Sequence, residues 1–235
     1  MLTKMLKKLW VNNLINLFYP NVCQSCGNAL NQQEEVICIS CELRLPKTGF
    51  HMHDENPVSR VFWGRINIKA ATSFLFFSKQ GKVQNLIHQL KYRRQKDVGV
   101  ELGRLFGIEL QKSPFYKDID FIIPVPLHPK KLRKRGYNQS LVIAEGLKKS
   151  MGVDVFTGLQ RKIHSSTQTK KTRYERWENV KDIFKIENPE ELENKSILLI
   201  DDVLTTGATL EACATVLSDV PNISISIATL AYAHN

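Results

Sequence analysis

Two adjacent carboxylates followed by a small, hydroxyl-rich turn carry the clearest chemical signal in the chain. Asp201 and Asp202 close the aliphatic run Ile197-Leu-Leu-Ile200, and Thr205-Thr206-Gly207-Ala208-Thr209 follows three residues later. A pair of acids can bind the hydroxyls of a diol. The turn offers successive backbone N–H groups, one position without a Cβ and three hydroxyls, just ahead of residues 210–217, which have the makeup of a helix; such a turn cradles a phosphate at a helix N-terminus. A ribose 5-phosphate satisfies both halves. The alternative is a structural strand-turn-helix whose acids only cap the helix.

The elements that must hold these groups follow from the same stretch. A short aliphatic run bounded by polar residues reads as a strand buried on both faces, as in the middle of a parallel sheet. The strand is expected over residues 196–200 and to stop at Asp201, because two carboxylates would repel each other in a dry core. They then belong at the carboxyl edge of the sheet, where open α/β folds bind ligands.

A second constellation lies near the N-terminus. Cys23-Gln-Ser-Cys26 and Cys38-Ile-Ser-Cys41 are two C-x-x-C knuckles with eleven residues between them. Four thiolates so spaced can surround one tetrahedral Zn²⁺, and a four-cysteine shell is a structural rather than a catalytic site. A segment this short has too little core to fold alone, so the metal would supply its stability. Two disulfides are the alternative; the fifth cysteine, Cys213, is unpaired in that scheme, which fits a reducing cytoplasm better than an oxidising compartment. Cys213 itself reads as core. His51 and His53 are expected to be solvent-exposed, since four cysteines already complete a zinc shell.

The 235 residues carry a net charge of +10, the footprint of a polyanionic partner: nucleic acid, anionic lipid or a phosphorylated small molecule. No apolar run is long enough for a membrane-spanning helix. Residues 1–18 form a basic amphipathic pattern without a signal-peptide h-region or cleavage site. Packing on the protein's own body is the plainer reading, and peripheral contact with the inner face of a membrane the other.

The chain divides into an amphipathic helix (1–19), a four-cysteine zinc segment (20–45), a Pro- and Gly-bearing linker (46–68) and an α/β domain (69–235). In the last, strand patterns at 70–77, 121–125, 153–156, 196–200 and 223–231 alternate with helix patterns at 81–92, 98–111, 139–150 and 210–217, which argues for a mostly parallel sheet with helices on both faces. Two basic segments interrupt the alternation. Lys130, Lys131, Arg133, Lys134 and Arg135 place five cations in six residues beyond the strand at 121–125, on the rim that also holds Asp201. Residues 161–180 carry Arg161, Lys162, Lys170, Lys171, Arg173 and Arg176 against two glutamates, with Gln168, Tyr174 and Trp177 among them, and read as a loop over that rim. A solvated charge run is the alternative for each.

Taken together these marks resemble two things. The stretch 197–209 is similar to the phosphoribosyl pyrophosphate (PRPP) signature of type I phosphoribosyltransferases, in which the acids bind the ribose hydroxyls and the Thr/Gly turn the 5-phosphate. Over nearly its whole length the chain resembles the ComF competence family, through the four-cysteine segment, Leu90-Lys-Tyr92, Pro124-Val-Pro-Leu-His128, Arg135-Gly-Tyr-Asn-Gln139, the Arg161/Thr167/Gln168/Arg176/Asn179 set and the terminal signature. The resemblance implies a zinc-finger-like segment joined to a phosphoribosyltransferase-like domain, PRPP with Mg²⁺ as ligand, and a part in DNA uptake beside other proteins of that machinery. It leaves the acceptor of any transfer reaction open. Two functions compete on this basis: a cytoplasmic factor that binds single-stranded DNA through the basic loops, and a phosphoribosyltransferase whose positive charge serves only the pyrophosphate.

Overall fold

The computed structural model describes residues 21–162 and 183–233. The expected helix over 1–19 and most of the expected loop, including Gln168, Lys170, Lys171, Arg173, Tyr174, Arg176 and Trp177, lie outside the described residues. The chain separates into two compact units, with the boundary between Leu45 and Pro46.

The smaller unit is two knuckles and one turn of helix. An antiparallel bridge joins Val22 to Ala29, and the first knuckle closes where Gly27 N–H donates to Cys23 O at 2.8 Å. The second knuckle opens α1 (Ile39–Leu43). The Glu34 carboxylate accepts from the backbone N–H groups of Asn31 and Ile39, both at 2.8 Å, which ties the connecting loop to the start of that helix.

The larger unit begins with α2 (Pro57–Arg60) and β1 (Ala70–Phe77), continues through α3 (Lys82–Tyr92), α4 (Lys96–Lys112) and β2 (Phe121–Pro124), and then α5 (Pro129–Arg135), α6 (Gln139–Met151) and β3 (Asp154–Val155). A short antiparallel pair, β4 (Leu159–Arg161) and β5 (Phe184–Ile186), precedes β6 (Ser196–Leu204), α7 (Ala208–Leu217) and β7 (Ser224–Ala233). The main sheet is parallel throughout, in the order β1-β7-β6-β2-β3. Its centre is β6, where Ile197, Leu198, Leu199 and Ile200 have no exposed surface, as a strand covered on both faces requires.

Besides the basic run at 129–135 being helical and Arg161, expected in a loop, ending β4, three features differ from the sequence reading. First, the strand expected to stop at Asp201 runs on to Leu204; its ladder with β7 continues to Leu204 opposite Tyr232, so the backbone is satisfied past the point where the side chains turn polar. Second, residues 46–68 are not a linker. Phe76 N–H donates to Pro46 O and Thr48 N–H to Phe74 O, both at 2.9 Å, so this segment covers the edge of β1. Val58 and Phe62 are buried in the core, and the buried Asn56 caps α2 through Val58 and Ser59 N–H while donating to Ala71 O at 2.9 Å. Third, His51 is buried while His53 is exposed; Ser113 Oγ donates to the His51 carbonyl, and burial lowers the His51 pKa.

One helix pairing fixes the geometry of the site described next. Gly99, Gly103 and Gly107 recur every fourth residue along α4, and α6 contributes Gly146. A Cβ on Gly103 would stand 2.2 Å from Ile143 O, and one on Gly146 2.1 Å from Val100 O. The two backbones therefore touch directly, which holds the first turn of α6 against the carboxyl edge of the sheet.

Candidate functional site

β2 and β6 pair only as far as Pro124 opposite Ile200, with a last bond from Val125 N–H to Ile200 O at 2.9 Å. Beyond it β2 turns away and β6 does not. Asp201 and Asp202 therefore keep β7 on one side and open onto a cleft on the other. Asn138 secures the far wall: its Nδ2 donates to Val125 O at 3.0 Å and its Oδ1 accepts from Ser140 N–H at 3.1 Å, so one side chain both ties the turn and caps α6.

The two acids have different surroundings. Asp201 Oδ1 accepts from Ser140 Oγ at 2.9 Å and from Asp202 N–H at 2.8 Å. Asp202 Oδ2 faces the Lys91 ammonium at 3.0 Å. Burial, with the Asp202 charge beside it, pushes the Asp201 carboxyl up to about 7, against the opposing pull of the Asp202 N–H, Ser140 and Lys91. Desolvation and a neighbouring negative charge both disfavour the ionised form of Asp201.

The cleft is lined by Asp201, Asp202 and Thr209 on one side and by Lys91, His128, Lys131, Arg135, Gln139, Ser140 and Arg161 on the other. Arg135 Nη1 donates to Gln139 Oε1 at 2.6 Å, and the Arg161 guanidinium packs on the Phe184 ring at 5.4 Å. His128 caps α5 by accepting from Lys130 N–H at 3.1 Å; its pKa is lowered by burial and by Arg161, Lys130 and Lys131. A second hollow adjoins the first. Val203, Leu204, Thr205, Thr206, Gly207, Ala208, Thr209 and Leu210 line it, and Asp201 and Thr209 belong to both.

Gly207 shapes that second hollow. Its φ of +77 lies in the left-handed region, and a Cβ there would press on Val61 Cγ1 at 2.9 Å and Phe62 Cε1 at 3.0 Å. Backbone conformation and space both exclude a side chain. The expected linker residues are thus the backing of the turn, and Arg65 reinforces it with a 3.4 Å bond to Thr206 O.

Of the residues singled out in the sequence, Asp201, Asp202, the 205–209 turn, Lys131, Arg135 and Arg161 come together here. Lys130, Arg133 and Lys134 are exposed on α5 outside the cleft lining. Lys91, His128 and Ser140 were not among the expected site residues. The signal for them was available, since each lies in or beside one of the short segments that mark the family resemblance. Cys213 is fully buried beneath the site, as expected.

In the smaller unit, the sulfurs of Cys23, Cys26, Cys38 and Cys41 all lie within 4.8 Å of one another. A tetrahedral shell with metal–sulfur bonds of about 2.3 Å spaces its sulfurs by about 3.8 Å, and Cys26 and Cys38 stand 3.9 Å apart. Cys38 N–H donates to Cys23 Sγ at 3.3 Å. All four are free thiols, and together they can hold one metal ion. Among the described residues, no helix is long and apolar enough to cross a membrane.

Residues 138–235 match the phosphoribosyl transferase domain family. DNA utilization protein YhgH of Salmonella typhimurium is 31% identical over 212 residues, 86% of either chain. Competence protein ComFC of Bacillus subtilis is 34% identical over 217 residues, 82% of this chain and 87% of that one. Among solved structures, adenine phosphoribosyltransferase from Saccharomyces cerevisiae aligns with a TM-score of 0.38 at 12% identity, covering 58% of this chain and 68% of its own.

The raised Asp201 pKa has a measurable consequence for stability. In the unfolded chain an aspartate titrates near about 3.9, whereas here the proton is held to about 7. Between those values the folded state binds a proton that the unfolded state has released, so this group's contribution to stability declines as pH rises through the window. Asp201→Asn keeps an acceptor for Ser140 and removes that decline. Urea unfolding should find the variant more stable than the wild type by about 1–3 kcal/mol at pH 8 and nearly equal to it at pH 4; a difference independent of pH would show that Asp201 is not the group concerned.

Proposed function

This chain belongs to the ComF family of competence and DNA-utilization proteins, and we propose that it handles single-stranded DNA while binding PRPP with Mg²⁺ in the cleft at Asp201 and Asp202. The observation that carries the ligand assignment is the meeting of the two hollows at one acid: the hydroxyl- and amide-bearing turn 205–209 on one side of Asp201 and a cation-lined cleft on the other. A phosphate, a diol and a pyrophosphate joined in that order would span them.

In this reading the backbone N–H groups and hydroxyls of residues 205–209 hold the 5-phosphate at the start of α7. Asp201 and Asp202 take the ribose hydroxyls. Lys131, Arg135 and Arg161 converge on the pyrophosphate, where fixed cations cost no reorganisation. Mg²⁺, when bound, neutralises charge on the pyrophosphate. The Lys91 ammonium already seated on Asp202 marks a place where positive charge is favourable, so Lys91 would either yield to the ligand's cation or turn toward a phosphate. Because Asp201 holds a proton to about 7, ligand binding should strengthen as pH rises from 6 to 8. In the smaller unit the four thiolates hold structural Zn²⁺.

DNA binding is supported by the names of the relatives, by the net charge of +10, which exceeds what one pyrophosphate needs, and by the cations of α5 that face away from the cleft. Contacts with other proteins of DNA uptake, and with a membrane surface through residues 1–18, belong to the same proposal. The second reading, a phosphoribosyltransferase acting on an unidentified acceptor, is favoured by the intact acid pair and by the cations gathered where pyrophosphate would leave.

Three measurements test these assignments. Replacing both Asp201 and Asp202 by Ala should weaken Mg²⁺-dependent PRPP binding at least about tenfold by calorimetry, since charge-assisted hydrogen bonds are removed; an unchanged affinity would place the ligand elsewhere. Metal analysis should give one zinc per chain, and Cys38→Ser should release it and expose residues 20–45 to proteolysis, whereas metal-free, folded wild-type protein would end the zinc assignment. Affinity for a single-stranded oligonucleotide should fall with log salt at a slope of about −3 to −4, reflecting roughly four to six neutralised phosphates; a flat salt response would favour the plain transferase.

A further inference from the structure

The turn between α3 and α4, with the sequence Lys91-Tyr-Arg-Arg-Gln-Lys96, is remote in the chain from the basic helix α5, yet the fold joins them. Tyr137, two residues past α5, donates its hydroxyl hydrogen to Leu90 O at the end of α3. The Lys96 ammonium sits over the Tyr137 ring at 5.4 Å. The Arg135 guanidinium sits over the Tyr92 ring at 5.8 Å. Arg94 takes a left-handed φ of +58 to make the turn, which brings its Nε within 4.0 Å of the place a Cβ on Gly136 would occupy. Arg93, Arg94 and Lys96 are thereby added to the five cations of α5, and among the described residues none of the eight forms an ion pair.

Set among these cations are two exposed rings. Tyr92 is 58% exposed, and His88, one helical turn earlier and also exposed, lies 4.9 Å from it. We propose that this corner of α3 and α5 is the track for single-stranded nucleic acid, with Tyr92 as a base-stacking platform and Arg93, Arg94 and the outward cations of α5 on the phosphates. The proposal rests on the nucleic-acid reading above and gives it an address outside the PRPP cleft.

The chemistry selects this partner over others. A small phosphate ligand has no use for an exposed phenol ring. A duplex keeps its base faces stacked inside, out of reach of Tyr92, whereas an unpaired strand presents a face with every nucleotide. A lipid surface would be met by several apolar side chains able to enter it, and α5 exposes one, Leu132. Arg135 belongs to both the cleft lining and the Tyr92 stack, so the track reaches the mouth of the PRPP site.

Anisotropy titrations of the full chain with a labelled oligothymidine of about 15 nucleotides, over a series of salt concentrations, test this. Tyr92→Ala should weaken binding about five- to a hundredfold with the salt slope unchanged, and Tyr92→Phe should retain it, because stacking needs the ring and not the hydroxyl. The double variant Arg93→Gln, Arg94→Gln should flatten the slope by about 1.4, at about 0.7 for each phosphate left without its cation. Its calorimetric PRPP affinity, unchanged, would show that the domain is folded. Wild-type binding and slope in all three variants, with the wild type itself binding oligothymidine, would overturn the track and leave the broader DNA reading standing. Failure of the wild type to bind at low salt would overturn both. Equal weakening on a duplex of the same length in Tyr92→Ala, or weaker binding to anionic vesicles without weaker binding to DNA, would also refute the stacking platform.

Discussion

The ladder between β2 and β6 ends at Pro124 and Ile200, while the ladder between β6 and β7 continues to Leu204 and Tyr232. This mismatch in strand length is the constraint on which the cleft at Asp201 and Asp202 depends. Four more residues of β6 are held rigidly from one side and left open on the other, so two carboxylates can stand beside the core on a fixed backbone without being sealed inside it. The 124–129 stretch contributes to the same end. Pro124, Pro126 and Pro129 cannot donate backbone hydrogen bonds, so β2 cannot follow β6 outward, and the chain leaves the sheet to form the wall that carries α5.

What that opening contains is an electrostatic arrangement rather than an apolar pocket. A buried acid pair is unfavourable unless protonated or compensated, and here the compensation is shared: the raised pKa of Asp201, the Ser140 hydroxyl, and the Lys91 ammonium on Asp202. Lys131, Arg135 and Arg161 surround it with positive charge. The site thus contains a pattern of charge that a polyanionic ligand with hydroxyl groups would complement. Its geometry depends on packing one layer further out: the glycine-mediated approach of α4 to α6 sets Ser140, and Phe62 with Val61 sets the turn at Gly207.

The same positive charge is distributed in two directions. Lys131 and Arg135 face the cleft, while Arg93, Arg94, Lys96 and the rest of α5 face outward. Arg135 joins the two surfaces through Gln139 on one side and Tyr92 on the other. Two ligands bound at these places would therefore sense each other through one side chain, which is a physical route for coupling that needs no large conformational change.

Much of this was legible in the linear chain, because the relevant signals are local. The aliphatic run, the acid pair and the Thr/Gly turn are contiguous, so composition and order alone indicate a buried strand, its polar end and a glycine-bearing turn ahead of a helix. The two C-x-x-C knuckles likewise carry their own spacing, and the alternation of periods identified the parallel sheet. Tertiary structure decided what depends on distance in the chain. The length of β6 was set by its neighbour β7, since ladder hydrogen bonds rather than side-chain polarity determine where a strand ends. Residues 46–68 resemble a linker by their prolines and glycines, yet they bury Val58 and Phe62 and back Gly207 from far away in the chain. Lys91 meets Asp202, and Tyr92 meets Arg135, only because the fold brings the end of α3 to the carboxyl edge of the sheet; periodicity along a single chain shows which face of a helix is apolar, but not which distant charge its last turn will find.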